Sequence, residues 1–204
     1  MQNIFTRNDL RNRSPFVEGW NNSTVMVRAF VALELSAEIR EQLRIAQDAL
    51  RGCRARLTFV DPALIHITTK FLGEVTEQKI PAVMDALRMV QVAPFLVTAH
   101  KITVNNPSRP HTVWCAIEDS GRSGQVFQLI EDALFPLGFA RETRRFTPHA
   151  TVARVKSMDP LLFAAISKLN NREYGSCTVS GMKLKKSTLT PQGPFYEDVL
   201  EVTW

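Results

Sequence analysis

The chain predicts an α+β fold of largely antiparallel sheets, arranged as two pseudo-symmetric lobes around a central cleft. Strand-like and helix-like hydrophobic periods alternate, and many of the connections look like hairpins. The second half repeats the order of the first. Each half also carries one copy of the same tripeptide form, His66-Ile67-Thr68 and His149-Ala150-Thr151, set inside an apolar, β-branched run.

The elements follow in order. Residues 1–25 are polar, with Asn at 3, 8, 12, 21 and 22 and no periodic apolar face. They are expected to be a flexible extension outside a single bilobal domain over 26–204. Met26 opens the first strand-like run, which ends near Leu33, and is a candidate internal start. Ser36 is placed to cap a helix with Glu38 in its first turn; Ile39, Leu43, Ala46 and Leu50 form its apolar stripe, and Gly52 stops it. The first motif strand should end at Gly73, and Thr76 should cap a helix faced by Ile80, Val83, Met84, Leu87 and Val90. Strands are expected near 95–104 and 112–118, joined by the loop Asn105 to His111. A helix faced by Val126, Leu129, Ile130, Ala133 and Leu134 follows, ending near Gly138. After the second motif strand come a helix around 160–170 and strands near 176–186, 187–190 and 195–203.

Composition narrows the class. With 45% hydrophobic and 22% charged residues over 204 positions, this is an ordinary globular chain. No apolar run approaches the ~20 residues that span a bilayer, and the first 25 residues lack the apolar core of a secretory signal. Cys53, Cys115 and Cys177 are far apart with no CxxC spacing, which suggests free thiols in a reducing compartment, the cytoplasm by default. A net charge of +5 permits a polyanionic partner. Arg141, Arg144 and Arg145 precede the second motif and Arg154 and Lys156 follow it, which is more telling than the alternating Lys183, Lys185 and Lys186. Nothing demands more than a monomer.

Residues two apart in a strand point to the same side. Each motif run therefore aims one imidazole and one hydroxyl at a common surface. If the imidazoles face each other about one phosphate apart, a neutral one can take a proton from water or a hydroxyl and a protonated one can give a proton to the departing oxygen. Such acid–base work is typically worth ~10²–10⁴-fold. Histidine suits both roles because its unperturbed pKa is about 6.5. The threonine hydroxyls can donate to the non-bridging phosphate oxygens. The competing reading is two buried His–Thr pairs that only satisfy each other, and two matched copies favour the site. A two-His metal site also competes, but Asp61 is an odd number of residues from His66 and alternation puts it on the other face. The scheme needs no metal or cofactor. His100 and His111 are weaker candidates, one in a strand-like run and one in a Pro-rich turn.

Five segments resemble one family: Val27 to Leu33, His66 to Val75 (HITTKFLGEV), Pro136 to Phe139 (PLGF), Arg145 to Lys156 (RFTPHATVARVK) and Leu189 to Tyr196 (LTPQGPFY). Together they are similar to the LigT-like branch of the 2H phosphoesterases, bacterial and archaeal RNA 2′,3′-cyclic phosphodiesterases also called 2′-5′ RNA ligases. The resemblance covers about 26–204 and implies the bilobal α+β fold of that family. It implies metal-independent hydrolysis of an RNA 2′,3′-cyclic phosphate end to a 2′-phosphomonoester. His66 would be proton donor to the leaving 3′ oxygen, His149 the acceptor that activates water, and Thr68 and Thr151 the phosphate holders. Arg154 matches a recurrent arginine after the second motif and is a candidate substrate contact, although simple alternation turns it away from His149. Lys70 shares the face of His66 and Thr68 under the same alternation and is a second candidate for the RNA backbone. Phe71 and Phe146 are either base-stacking residues or core. Two other readings stay open, namely 2′-5′ ligation by the reverse reaction and an RNA-end-binding module without chemistry.

Overall fold

A computed structural model describes residues 25–191 and 193–204. The expected extension lies outside the described residues apart from Val25. Strand β1 is Met26–Glu34, followed by helix α1 at Ala37–Arg51 and the short strand β2 at Arg56–Phe59. Then come β3 at His66–Thr76, α2 at Ile80–Arg88, β4 at Phe95–Val104, β5 at Thr112–Glu118 and α3 at Arg122–Leu134. The remainder is β6 at His149–Ser157, α4 at Leu161–Ser167, β7 at Glu173–Val179, β8 at Gly181–Thr190 and β9 at Gly193–Thr203.

Among the described residues the nine strands form one sheet, in the order β7-β4-β5-β6-β3-β1-β8-β9, with β2 also paired to β6. Every pairing is antiparallel. The order has the expected symmetry: β3, β1, β8, β9 read outward from the centre on one side, and β6, β5, β4, β7 on the other. The two motif strands are therefore the central neighbours. Helices α1 and α4 pack together over the β6–β7 half, with α2 and α3 over the β3–β9 half. One continuous core joins them, from Leu33, Ile39, Leu43 and Leu50 to Ile102, Ile130 and Leu134.

Local chemistry explains most boundaries. The Ser36 hydroxyl accepts from the Ile39 amide, as its N-cap position requires. Four expectations change. Thr76 makes no capping bond; β3 runs on to it and a 3₁₀ turn at Glu77–Lys79 leads into α2. Gly73 does not end β3 but sits inside it at φ +70°, next to a register shift that its missing Cβ accommodates. The expected strand over 176–186 is broken at Ser180, and its second part merges with 187–190 into β8, which pairs along its length with β9. Strand β2 has no counterpart among the expected elements, being four residues long and only half-buried.

Candidate active site

Strands β3 and β6 meet at Ile67 and Ala150, both fully buried on the core face. The opposite face at this junction carries His66, Thr68, His149 and Thr151, all half-buried. Continuing the antiparallel register sets His66 beside Thr151 and Thr68 beside His149. The imidazoles occupy the diagonal of this two-by-two grid, where strand geometry separates backbones by roughly 7–8 Å.

Both rings are held from behind. His66 Nδ1–H donates to the Leu64 carbonyl at 2.7 Å, and His149 Nδ1–H donates to the Thr147 carbonyl at 2.7 Å. A carbonyl only accepts, so each Nδ1 carries the proton and each Nε2 of the neutral ring is a lone pair. The Thr68 hydroxyl, 3.0 Å from His66 Nε2, then donates to it. Aromatic rings fix the planes. Phe30 of β1 stacks on His66 at 5.0 Å, Tyr196 of β9 meets its edge at 5.8 Å, and Trp114 of β5 lies 4.1 Å from His149.

The electrostatic surroundings of the two histidines differ. Burial pushes the His66 pKa below its ordinary value; the Leu64 carbonyl and the Glu34 carboxylate oppose that shift, while Lys185 and Arg40 add to it. Glu34 is the cross-strand partner of His66. Burial alone would raise the Glu34 carboxyl, yet Lys185 and Arg40, both ion-paired to it, hold it below the usual range. Burial also pushes His149 down, the Thr147 carbonyl opposes, and the positive charge of Arg154 lowers it further. Burial thus favours the neutral form of each imidazole, with a carboxylate and two cations acting on His66 and a guanidinium acting on His149.

Two bulges reassign the flanking residues. In β3, Val31 pairs with Lys70 and Ala32 with Thr68, leaving Thr69 as an extra residue; its hydroxyl donates to the Val31 carbonyl at 3.0 Å. The extra residue inverts the alternation. Lys70 consequently turns into the core and pairs with Glu131 at 2.5 Å, so its expected place beside His66 is corrected. Phe71 takes the site face instead, 68% exposed and 6.1 Å from the Phe30 ring that also stacks on His66. In β6, Val113 pairs with Ala153 and Trp114 with Thr151, leaving Val152 as the extra residue. Val152 and Ala153 are both fully buried. Arg154 thereby swings to the His149 face, contrary to simple alternation; its guanidinium donates to the Thr112 hydroxyl at 2.9 Å and its charge acts on His149 and Tyr196. Each motif is thus followed by a buried pair and then a side chain returned to the site, Phe71 in one half and Arg154 in the other. The β6 bulge is pinned by Gln47 of α1, whose buried amide donates to the Val60 carbonyl at 2.7 Å and the Val152 carbonyl at 2.9 Å.

The remaining candidates lie elsewhere. Phe146 stacks on Phe127 at 4.8 Å, His100 is on β4, and His111 is exposed in the loop before β5. Among the described residues no group of three or more His, Cys, Asp or Glu is arranged to hold a metal ion, and no helix is long and apolar enough to cross a membrane. Sequence reasoning missed Glu34, Trp114 and Tyr196 as site residues. Only Tyr196 carried a signal, as part of the LTPQGPFY segment, and long-range strand pairing brings it to the site.

Comparison with known proteins identifies the family. A family model for the 2′-5′ RNA ligase superfamily matches residues 26–188. A protein of Archaeoglobus fulgidus named RNA 2′,3′-cyclic phosphodiesterase is 33% identical over 174 residues, 85% of this chain and 98% of its own. Another of that name, from Methanothermobacter thermautotrophicus, is 35% identical over 85% of this chain and 96% of its own. A crystal structure from Thermus thermophilus superposes with a TM-score of 0.74 at 26% identity, over 86% of this chain and 97% of that one. Escherichia coli LigT complexed with 3′-AMP shares the fold, with a TM-score of 0.72 at 23% identity, over 88% and 98% of the two chains. Since the family match runs through both motif strands, the chain belongs to the 2′-5′ RNA ligase superfamily.

Proposed function

We propose that the protein hydrolyses the 2′,3′-cyclic phosphate end of RNA to a 2′-phosphomonoester, with His149 as base and His66 as acid. Neutral His149 takes a proton from water through Nε2 as the water oxygen bonds to phosphorus. The bond from phosphorus to the 3′ oxygen breaks, and protonated His66 delivers its Nε2 proton to that oxygen. The 2′ oxygen keeps the phosphate. Support for the role assignment comes from one difference between the rings: His66 has a carboxylate, Glu34, that favours its imidazolium against the opposing Lys185 and Arg40, whereas the charge acting on His149 is the Arg154 guanidinium, which favours the neutral ring. A bound phosphate anion adds to the stabilisation of His66 in its protonated form.

Thr68 has two tasks in this scheme. In the free protein it donates to His66 Nε2. Once that nitrogen carries a proton it no longer accepts, so the hydroxyl is released to donate to a non-bridging oxygen. Thr151, beside His66 in the grid, donates from the opposite strand, and both contacts strengthen as charge builds at phosphorus. Arg154 adds a charge-assisted contact to the phosphate. Lys70 is left out of substrate binding because its ammonium is spent on Glu131. Ligation, with an RNA hydroxyl in place of water as the attacking group, uses the same side chains, and water is the far more abundant competitor.

The observation that carries this reading is the pairing of the two His–Thr motifs on one face of adjacent central strands. The test is incubation with an oligonucleotide ending in a 2′,3′-cyclic phosphate, in the presence of EDTA, followed by identification of the hydroxyl that retains phosphate. A 2′-phosphate product is expected, with turnover reduced at least ~10²-fold in folded His66→Ala and His149→Ala proteins. An unchanged substrate, or full activity in both variants, would overturn it.

A further inference from the structure

The Lys70–Glu131 pair lies outside the proposed proton transfers, yet its side chains are only 6% and 2% exposed. Replacing a buried ion pair by apolar side chains is often neutral or favourable to stability, so stability alone is a weak account of it. Its hydrogen bonds suggest another use. Besides the 2.5 Å contact between them, Lys70 Nζ donates to the Ala140 carbonyl at 3.0 Å. The second Glu131 oxygen accepts from the Glu142 amide at 3.3 Å. Both backbone groups belong to residues 139–148, which form neither helix nor strand and lead directly into β6. The carbonyl that holds His149, that of Thr147, lies in this same segment.

The connection therefore starts two residues after Thr68 in the first motif strand, passes through α3 and ends on the segment that delivers the second motif. We propose that Lys70 and Glu131 are positioning residues, a buried clamp that fixes the approach of 139–148 and so sets the His149 ring relative to His66. The clamp explains why the β3 bulge turns a lysine inward: Lys70 reaches a carbonyl that no apolar side chain would satisfy. The role rests on the two-histidine reading given above.

The test pairs Lys70→Met with Glu131→Leu, which removes both charges together and avoids leaving one buried alone. The clamp predicts that this double variant folds but loses about 10- to 100-fold in kcat, as expected for small misplacement of a catalytic group. KM should stay within about threefold. In NMR titrations the His149 imidazole signals and pKa should shift while those of His66 stay as in the wild type. Wild-type kcat and unshifted His149 signals in a folded double variant would overturn the clamp. If the double variant does not fold, Lys70→Met with Glu131→Gln, which also removes both charges and keeps an acceptor for the Glu142 amide, takes its place: lowered kcat with shifted His149 signals supports the clamp, and wild-type values of both overturn it. The NMR arm needs no turnover, so failure of the hydrolase reading would show as an inactive wild type, separately from the clamp.

Discussion

Replacing Gln47 by Leu should cost activity as well as stability, because this side chain holds the bulge that points Arg154 into the site. Gln47 is 1% exposed and donates to two carbonyls, those of Val60 and Val152. Val152 keeps another partner, the Val60 amide at 3.0 Å, so leucine removes one of two partners from the buried Val152 carbonyl and the Gln47 partner from the half-buried Val60 carbonyl. Buried polar groups left without a partner cost ~1–3 kcal/mol each, and the apolar gain of leucine offsets part of that, giving a net loss of about 2 kcal/mol. In a domain of this size that lowers Tm by roughly 4–8 °C. If the bulge relaxes, Arg154 returns toward the other face and the charge-assisted phosphate contact proposed for it is lost. Such a contact is worth ~1.5–3 kcal/mol, or roughly 10- to 100-fold in kcat/KM. The assay is a double-mutant cycle with Arg154→Ala, read by kcat/KM on a cyclic-phosphate oligonucleotide and by thermal melting. Either single change should produce most of the activity loss and the second should add less than about threefold. A Gln47→Leu protein that melts lower but still loses the full factor on Arg154→Ala would refute the link between bulge and arginine.

Three further outcomes follow from the site. The kcat/KM profile should be bell-shaped: activity falls on the acid side as His149 takes up a proton and on the alkaline side as His66 loses one. Burial depresses both, so the optimum should lie on the acid side of the ordinary histidine value. Glu34→Gln should shift the alkaline limb to lower pH, since the carboxylate supports protonated His66, and Arg154→Ala should shift the acid limb to higher pH; rate measurements from about pH 4 to 9 check both signs. Thr68→Val and Thr151→Val should each reduce kcat by roughly 10- to 100-fold with little change in melting temperature.

The periodic elements were legible in the sequence. Apolar stripes located α1, α2 and α3, the alternation around each motif placed His and Thr on a common face, and the repeated order foretold the symmetric strand sequence. Three features were not. A bulge inverts the alternation beyond it, but neither the polar Thr69-Lys70 pair nor the short apolar Val152-Ala153 pair marks the inversion unambiguously, and strict alternation puts Lys70 and Arg154 each on the wrong face. Glu34, Trp114 and Tyr196 reach the site through strand pairing between segments distant in the chain, which local periodicity does not encode. Strand β2 is too short and too exposed to show a period.

The division of labour between the two imidazoles is tested most directly with a cyclic phosphate whose 3′ bridging oxygen is replaced by sulfur. A thiolate departs without a proton, so an enzyme lacking its acid should work on this substrate almost as well as the intact one, while an enzyme lacking its base should not. The expected result is near wild-type turnover of the sulfur substrate by His66→Ala and continued loss in His149→Ala. Equal impairment of both variants, or rescue of His149→Ala instead, would contradict the assignment.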